Sequence, residues 1–460
     1  MEEKQRNRIL LLLFVGVLMG ALDIAIVGPA LPAIQAEFVA DSRGMAWVFN
    51  IYVLFGLIGT PFMAKLSDRY GRRGIYILAV AIFGAGSLIV AIAQAFPLML
   101  AGRAIQAIGA GGILPVAAAV IGDTFPVEKR GSALGLIGAV FGIAFLIGPI
   151  LAGFLLKYLS WHWLFLINLP IAVLLILAAA RLLPVALPPA TKPFDLAGVA
   201  ALSLMLAALS LGITGLATNL PLLGLGDIAI GGPLVLAVAL VPLFWRIEQR
   251  AADPVLQPRL FRSRQMNVAG FLSIGTGMAE TSGVFLPTLA VTGLGMTAHQ
   301  ASFWMIPTVI ALVIGSPLAG KLLDSVGSKL VIQGGLALTA AGFFMFGFAG
   351  DDLVWFVAGQ VVSGFGLSAL LGAPLRYVVL NAAGPDERTA AQGLLSTVLA
   401  VGQLSGAALV GAIAASHGGG PGGWMQGFNV IGVVMAATVI AAFGLKSQAE
   451  ERASAGAKAA

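Results

Sequence analysis

Long apolar runs separated by short polar breaks dominate the chain. A helix that crosses a membrane needs about 20 mostly apolar residues, and fourteen runs meet that length. They fall at roughly 9–30, 44–64, 74–94, 97–121, 131–156, 161–182, 194–217, 228–245, 265–290, 300–322, 328–350, 353–380, 389–415 and 424–445. Backbone polar groups inside lipid must be satisfied within the segment itself, so the pattern predicts an all-α polytopic membrane protein of 14 transmembrane helices. Twelve of the runs form two sets of six, and two stand between the sets. The segment LAGVAALSLMLAALSLGITGLA from Leu196 carries no charge; water is the wrong solvent for it, and an inserted two-helix hairpin is expected there. The expected organisation is a six-helix bundle over 1–185, the hairpin with a basic cytoplasmic connector over 186–264, a second six-helix bundle over 265–446, and a flexible cytoplasmic tail over 447–460.

Composition supports this reading and removes others. Of 460 residues, 59% are hydrophobic and 10% are charged, far from the balance of a soluble domain. Cysteine is absent, which excludes disulfides and thiolate metal sites. His162, His299 and His417 show no metal-ligand spacing and are expected in solvated outer loops. The basic excess is distributed as topology and forms no nucleic-acid patch. With the amino terminus inside, all but four of the 26 Lys and Arg residues lie in cytoplasmic breaks. Arg43 and Lys157 are outside, while Arg103 and Arg376 fall within helices. Both termini are therefore expected in the cytoplasm. The first apolar run is too long for the core of a cleaved signal peptide and reads as a retained helix.

Two carboxylates lie deep inside these runs, Asp23 and Glu280, and their separation, 280 − 23 = 257, is also the offset of an internal repeat. Trp47 and Trp304 share that offset, whereas Pro61/Pro317, Lys65/Lys321, Asp68/Asp324, Gly71/Gly327 and Arg73/Lys329 match at 256. Two halves share one plan. Gly16, Gly20 and Asp23 form a helical stripe that Ser273, Gly277 and Glu280 reproduce, with small residues that permit close packing or a cavity wall. An ionisable group at bilayer depth costs roughly 2.5 to 3.5 kcal/mol on insertion scales, so one at the matched place in both halves points to a function.

The break after the second run reads AKLSDRYGRRGIYI from Ala64, a tight turn at Gly71 whose acid and arginines can clamp helix ends. A partial copy, GKLLDSVGSK, starts at Gly320. The fourth run holds AGRAIQAIGAGG, the fifth AFLIGPILAG, the first LDIAIVGPALPAI and the sixth WHWLFLINLP. On these segments the chain resembles the major facilitator superfamily over nearly its whole length, and within it the fourteen-helix drug/proton antiporter branch. Ala64, Ala107, Ala144 and Ala152 stand where the family's signatures prefer glycine. The resemblance implies two pseudo-symmetric six-helix bundles with the substrate site near the midplane between them. It implies that Asp68, Arg69, Gly71, Arg72 and Arg73 form a cytoplasmic gate, and that Gly148, Pro149 and Gly153 pack helices closely and oppose leakage.

At 1.5 Å per residue, Asp23 lies about 10 Å below the outer surface and Arg103 about 9 Å. The superfamily fold makes their helices neighbours, so an Asp23–Arg103 pair is expected. If it breaks on protonation of Asp23, a cationic substrate or a moving Arg103 changes the proton occupancy of the acid; the alternative is a static ion pair that helps two helices pack. Glu280 has Gln360, not an arginine, at the matched place. It is expected to bind a proton or attract a lipophilic cation, or else to be a protonated acid bonded to a neighbouring helix. Asn50, Gln106, Trp304, Gln360 and Gln403 are candidates for a substrate cavity, with packing as the alternative. Arg376 is expected to snorkel to the inner interface. The glycines from Gly109 are followed by no Gly-Lys-Ser, so no nucleotide loop is present, and no catalytic constellation is found. The expected protein is no enzyme and needs no cofactor. It is a proton-coupled exporter of hydrophobic or cationic small molecules, of multidrug type, working by alternating access as a monomer in a bacterial cytoplasmic membrane. Its partners are protons, membrane lipids and those substrates. Symport, a lipid or amphiphile transporter, and a non-transporting sensor or scaffold are the alternatives.

Overall fold

The computed structural model describes residues 3–125, 127–185, 195–216, 228–251, 254, 258–382 and 388–450. The described elements are all helical. The first half holds α1 (Glu3–Phe38), α2 (Ser42–Tyr70), α3 (Arg72–Ala91), α4 (Phe96–Thr124), α5 (Val127–Tyr158), α6 (His162–Leu166) and α7 (Asn168–Leu182). The insert supplies α8 (Leu196–Leu216) and α9 (Ile228–Arg250). The second half holds α10 (Arg264–Ser282), α11 (Leu286–Gly293), α12 (Ala298–Phe303), α13 (Ile306–Val326), α14 (Ser328–Ala349), α15 (Leu353–Leu371), α16 (Ala373–Ala382), α17 (Arg388–Ser416) and α18 (Pro421–Ala441).

Several runs expected as single helices are interrupted, and proline explains most of the breaks. α10 passes through a 3-10 turn at Gly283–Phe285 just ahead of Pro287. The break before α13 precedes Pro307, and that before α16 lies at Gly372, two residues ahead of Pro374. Proline lacks the N–H that would continue the ladder and disfavours helical backbone in the residue before it. His162 and His299, expected in solvated loops, lie on the short helices α6 and α12 and are half-buried.

Among the described residues, twelve helices are long and apolar enough to cross a membrane, by length and composition. Both helices of the insert, over 196–213 and 231–250, are among them. The fourteen expected spans exceed this count by two, the regions of α5 and of α10 with α11. α10 falls short because Asn267, Ser273, Thr276, Glu280, Thr281 and Ser282 dilute its apolar residues over only 19 positions.

By internal packing the chain divides into two compact units, Met1–Ala40, Trp47–Ser203 and Ala298–Phe303 in one, and Asp41–Ala46, Leu204–Thr297 and Trp304–Ala460 in the other. In the first, α1 packs on α5, and α3 packs on α4 and α7. Its core is built from Leu13, Val17, Tyr76, Phe83, Val116 and Val120, among others. In the second, α10 packs on α17, and α14 packs on α15 and α18. These pairings repeat those of the first unit helix for helix. The matched glycines Gly71 and Gly327 both have positive φ, 94° and 85°, at the start of α3 and α14. Only glycine reaches that region without a Cβ penalty. The beginning of the expected tail is held in place, because Gln448 packs against Gly327 and its Nε2 donates to the Ser325 carbonyl at 3.1 Å; residues 451–460 lie outside the described set.

Candidate functional site

In the first unit five polar side chains from four helices meet, each at most 3% exposed: Asp23 on α1, Ser87 on α3, Arg103 and Gln106 on α4, and Asn168 at the start of α7. Three residues apart on one helix, Arg103 and Gln106 share a face. Arg103 Nη1 donates to Asp23 Oδ2 and to Gln106 Oε1, both at 2.6 Å, and Nε reaches the Val48 carbonyl at 3.4 Å. Gln106 Nε2 donates to Asp23 Oδ1 and to Ser87 Oγ, both at 2.7 Å. Asn168 Nδ2 approaches the same two acceptors at 3.5 and 3.3 Å. The Tyr52 ring on α2 covers the guanidinium, 4.1 Å from Cζ to the ring centroid, a cation–π contact away from water.

The arrangement has a chemical consequence. A proton on Asp23 Oδ2 removes the charge that holds Arg103 and leaves the guanidinium charge buried without a counter-charge, but each partner keeps hydrogen bonds. Asp23 keeps Gln106 and Asn168 on Oδ1, and Arg103 keeps Gln106, Val48 and the Tyr52 ring. Such alternatives keep hydrogen-bonding groups satisfied when the pair opens, and the cost that remains is that of the unpaired guanidinium charge.

The second unit carries the matched carboxylate in simpler surroundings. Among the described residues, Glu280 on α10 accepts one hydrogen bond, from Gln403 Nε2 on α17 at 3.0 Å. Gln360, which stands where Arg103 does in the first half, accepts from Thr308 Oγ1 at 3.0 Å. Of the five substrate-cavity candidates, Gln106 belongs to the Asp23 cluster, Gln403 holds Glu280, and Gln360 bonds Thr308. Asn50 is buried on α2, and Trp304 is half-buried ahead of α13. Arg376 on α16 is exposed.

At the break after α2, Arg72 donates through Nε to Asp123 Oδ2 at 3.0 Å and through Nη1 to Ser67 Oγ at 3.1 Å, tying α2, α3 and α4 together. Arg69 is exposed and lies 5.5 Å from the Tyr70 ring centroid, and Arg73 is half-buried. The side chain of Asp68 lies outside the described residues. On α5, a Cβ at Gly148 would meet that of Ala25 at 2.6 Å, and one at Gly153 would meet the Phe303 ring at 2.9 Å; Pro149 is buried between them. α1 and α5 approach this closely because glycine is there.

A cavity of about 210 Å³ lies between α1, α2 and α4 in the first unit. None of the five cavity candidates lines it; its walls are mostly apolar and include Gly20, Tyr52, Gly56 and Thr60. Ser87, Asn168, Tyr52 and Asp123 were not among the site residues expected from sequence. Asn168 sits in the WHWLFLINLP segment and Ser87 is a polar residue within an apolar run, a faint signal for both. Asp123 is an acid in the last turn of α4, just ahead of a basic break. Tyr52 gives no signal, since an aromatic residue in an apolar helix is ordinary.

The model of the Major Facilitator Superfamily matches residues 13–279 and 268–460. The chain is 38% identical over 407 residues to the MFS-type transporter YfiU of Bacillus subtilis, covering 87% of this chain and 78% of that protein. It is 31% identical to Multidrug resistance protein 3 of the same organism, over 77% and 69% of the two chains. It is 29% identical to the Tetracenomycin C resistance and export protein of Streptomyces glaucescens, over 89% and 76%. Among solved structures, the nucleoside transporter NupG superposes with a TM-score of 0.69 at 14% identity, covering 95% of this chain and all of that one, which speaks for the fold. The internal repeat, the repeated helix pairings and these matches lead to one conclusion: the chain belongs to the major facilitator superfamily and is a multi-pass membrane transporter.

Proposed function

We propose that the protein is a proton-coupled exporter of hydrophobic or cationic small molecules, working by alternating access. The observation that carries the reading is the buried Asp23–Arg103–Gln106 cluster, in which an acid is paired with a cation and both have second partners when the pair opens. Protonation releases Arg103 from Asp23, and a cationic substrate competes with Arg103 for the carboxylate. Glu280, held by one neutral amide, is the second proton-binding group. Relatives whose names speak of multidrug resistance and of export support the substrate class.

The fourteen-helix drug/proton antiporter branch is part of this reading. The twelve spans include both helices of the insert and leave out α5 and α10 with α11. Counting those two regions as crossings gives fourteen, with both termini in the cytoplasm of a bacterial cell. Residues 1–185 and 265–446 then act as the two transporting halves, residues 186–264 as an added hairpin, and the Arg72 clamp as part of the cytoplasmic gate. The protein draws its energy from the proton gradient, needs no cofactor, and works as a monomer.

The test uses purified protein in liposomes with a pH-sensitive dye inside, and ethidium as the added cation. Wild type is expected to move protons in response to ethidium, and Asp23→Asn and Glu280→Gln to lose that flux. If wild type moves no protons with ethidium or a panel of other lipophilic cations, the antiport reading fails.

A further inference from the structure

Three arginines fall within six residues where the chain enters α10, Arg259, Arg262 and Arg264, and no acid stands between Asp253 and Glu280. Arg262 and Arg264 line an open groove of about 460 Å³ in the second unit, together with Asn267, Val268, Phe271 and Ala441. Arg264, Asn267, Val268 and Phe271 are spaced i, i+3, i+4 and i+7 and so share one stripe of α10. The stripe is charged at the first residue of the helix and apolar two turns on. That is about 10 Å along the axis, the step from the headgroup layer of a bilayer into its hydrocarbon. The end of α18 forms the other wall, and the seam is fixed: Gln265 Nε2 donates to the Gly444 carbonyl at 3.2 Å, and its Oε1 accepts from the Lys446 backbone N–H at 3.0 Å. A Cβ built at Gly444 would stand 3.7 Å from Arg264 Nη2, so that guanidinium lies at the seam. Arg262 and Arg264 are exposed, and among the described residues neither guanidinium has a hydrogen-bond or ion-pair partner. Below them Phe271 is 52% exposed.

We propose that this groove holds one anionic glycerophospholipid, with its phosphodiester on Arg262 and Arg264 and an acyl chain along Val268 and Phe271. Charge selects the headgroup. A guanidinium is always charged and offers a phosphate paired donors, whereas no carboxylate lines the groove to receive the ammonium of a zwitterionic headgroup. The apolar half of the stripe selects a lipid over a free phosphate, because Phe271 and Val268 gain only from a hydrocarbon partner. On the topology proposed above this end of α10 is cytoplasmic, which makes the leaflet the inner one, where anionic headgroups attract basic residues. The lipid spans the seam between α18 and the helix that carries Glu280.

The experiment is native mass spectrometry of the purified full chain in mild detergent, titrated with dioleoyl phosphatidylglycerol or with dioleoyl phosphatidylcholine. Wild type is expected to bind the anionic lipid more tightly, by roughly tenfold for two arginines at a lipid surface. Arg262→Gln/Arg264→Gln should erase that preference. Lys4→Gln/Arg8→Gln, which removes two exposed charges at the start of α1, should keep it. Arg264→Gln alone, with a smaller loss, serves if the double variant does not fold. Glycerophosphoglycerol, the same headgroup without acyl chains, should not displace the lipid at equal concentration. No preference in wild type, a preference that survives loss of both arginines, or an equal loss in the Lys4/Arg8 control overturns the proposal. Displacement by the free headgroup overturns the lipid in favour of a soluble phosphodiester. Proton flux plays no part in this readout, so its outcome and that of the ethidium assay are independent.

Discussion

Arg103 serves three partners at once, the carboxylate of Asp23, the amide oxygen of Gln106 and the carbonyl of Val48, while its face lies under the Tyr52 ring. A planar guanidinium can do this and an ammonium cannot, so the charge-conserving Arg103→Lys is not conservative here. It is expected to lower ethidium-driven proton flux by roughly ten- to a hundredfold, the worth of a charge-assisted hydrogen bond. Arg103→Ala strands the Asp23 charge and should cost about 3–5 kcal/mol of stability. The double variant Asp23→Asn/Arg103→Gln should recover much of that stability and none of the flux. Melting temperatures and flux measured on the same preparations check both parts; a double variant no more stable than Arg103→Ala would show that the pair is not what makes the single change costly. The two charged members of this cluster were legible in the sequence, because a charge inside an apolar run is conspicuous and helical rise sets its depth. Ser87, Asn168 and Tyr52 were not, since polar and aromatic residues in membrane helices serve packing as often as chemistry.

At the scale of elements, the matched glycines of α1 and α10 show how far a repeat can be trusted. Gly20 and Gly277 share the repeat offset, 277 − 20 = 257, and each precedes the matched carboxylate of its half by three residues. Their surroundings differ. A Cβ at Gly277 would collide with the Leu399 carbonyl and stand 2.9 Å from the Gln403 nitrogen, where α17 crosses α10, whereas one at Gly20 enters the open cavity. Gly277→Ala should therefore destabilise the protein by about 1–3 kcal/mol, the typical cost of overpacking, and pull Gln403 from Glu280. Gly20→Ala should stay within about 0.5 kcal/mol of wild type. Thermal melts of the two variants in one detergent check this, and equal melting temperatures would contradict it. Helix existence and order followed from apolar length, but the interruptions ahead of Pro287, Pro307 and Pro374 were not placed from sequence. Proline within a membrane helix kinks it or ends it according to what its neighbours satisfy.

For the whole molecule, the topology of the insert decides the number of spans. The chain has no cysteine, so single cysteines can be introduced and labelled without background. With fourteen spans, Thr218→Cys should react with a membrane-impermeant maleimide added to intact cells, while Ser447→Cys should react only after permeabilisation. Protection of Thr218→Cys in intact cells would return the α8–α9 region to the cytoplasm and remove the fourteen-span arrangement. The sequence alone determined that this is a helical membrane protein built from two related halves, because apolar runs of bilayer length, a repeat offset and the cost of buried charge are properties of a chain read in one dimension. It also singled out Asp23, Arg103 and Glu280 as the charges that need an explanation. Only the tertiary structure decided which neutral groups surround them. Gln106, Asn168 and Tyr52 meet around the Asp23–Arg103 pair from three helices, while Glu280 is met by the Gln403 amide, and no one-dimensional pattern records which helix faces approach each other.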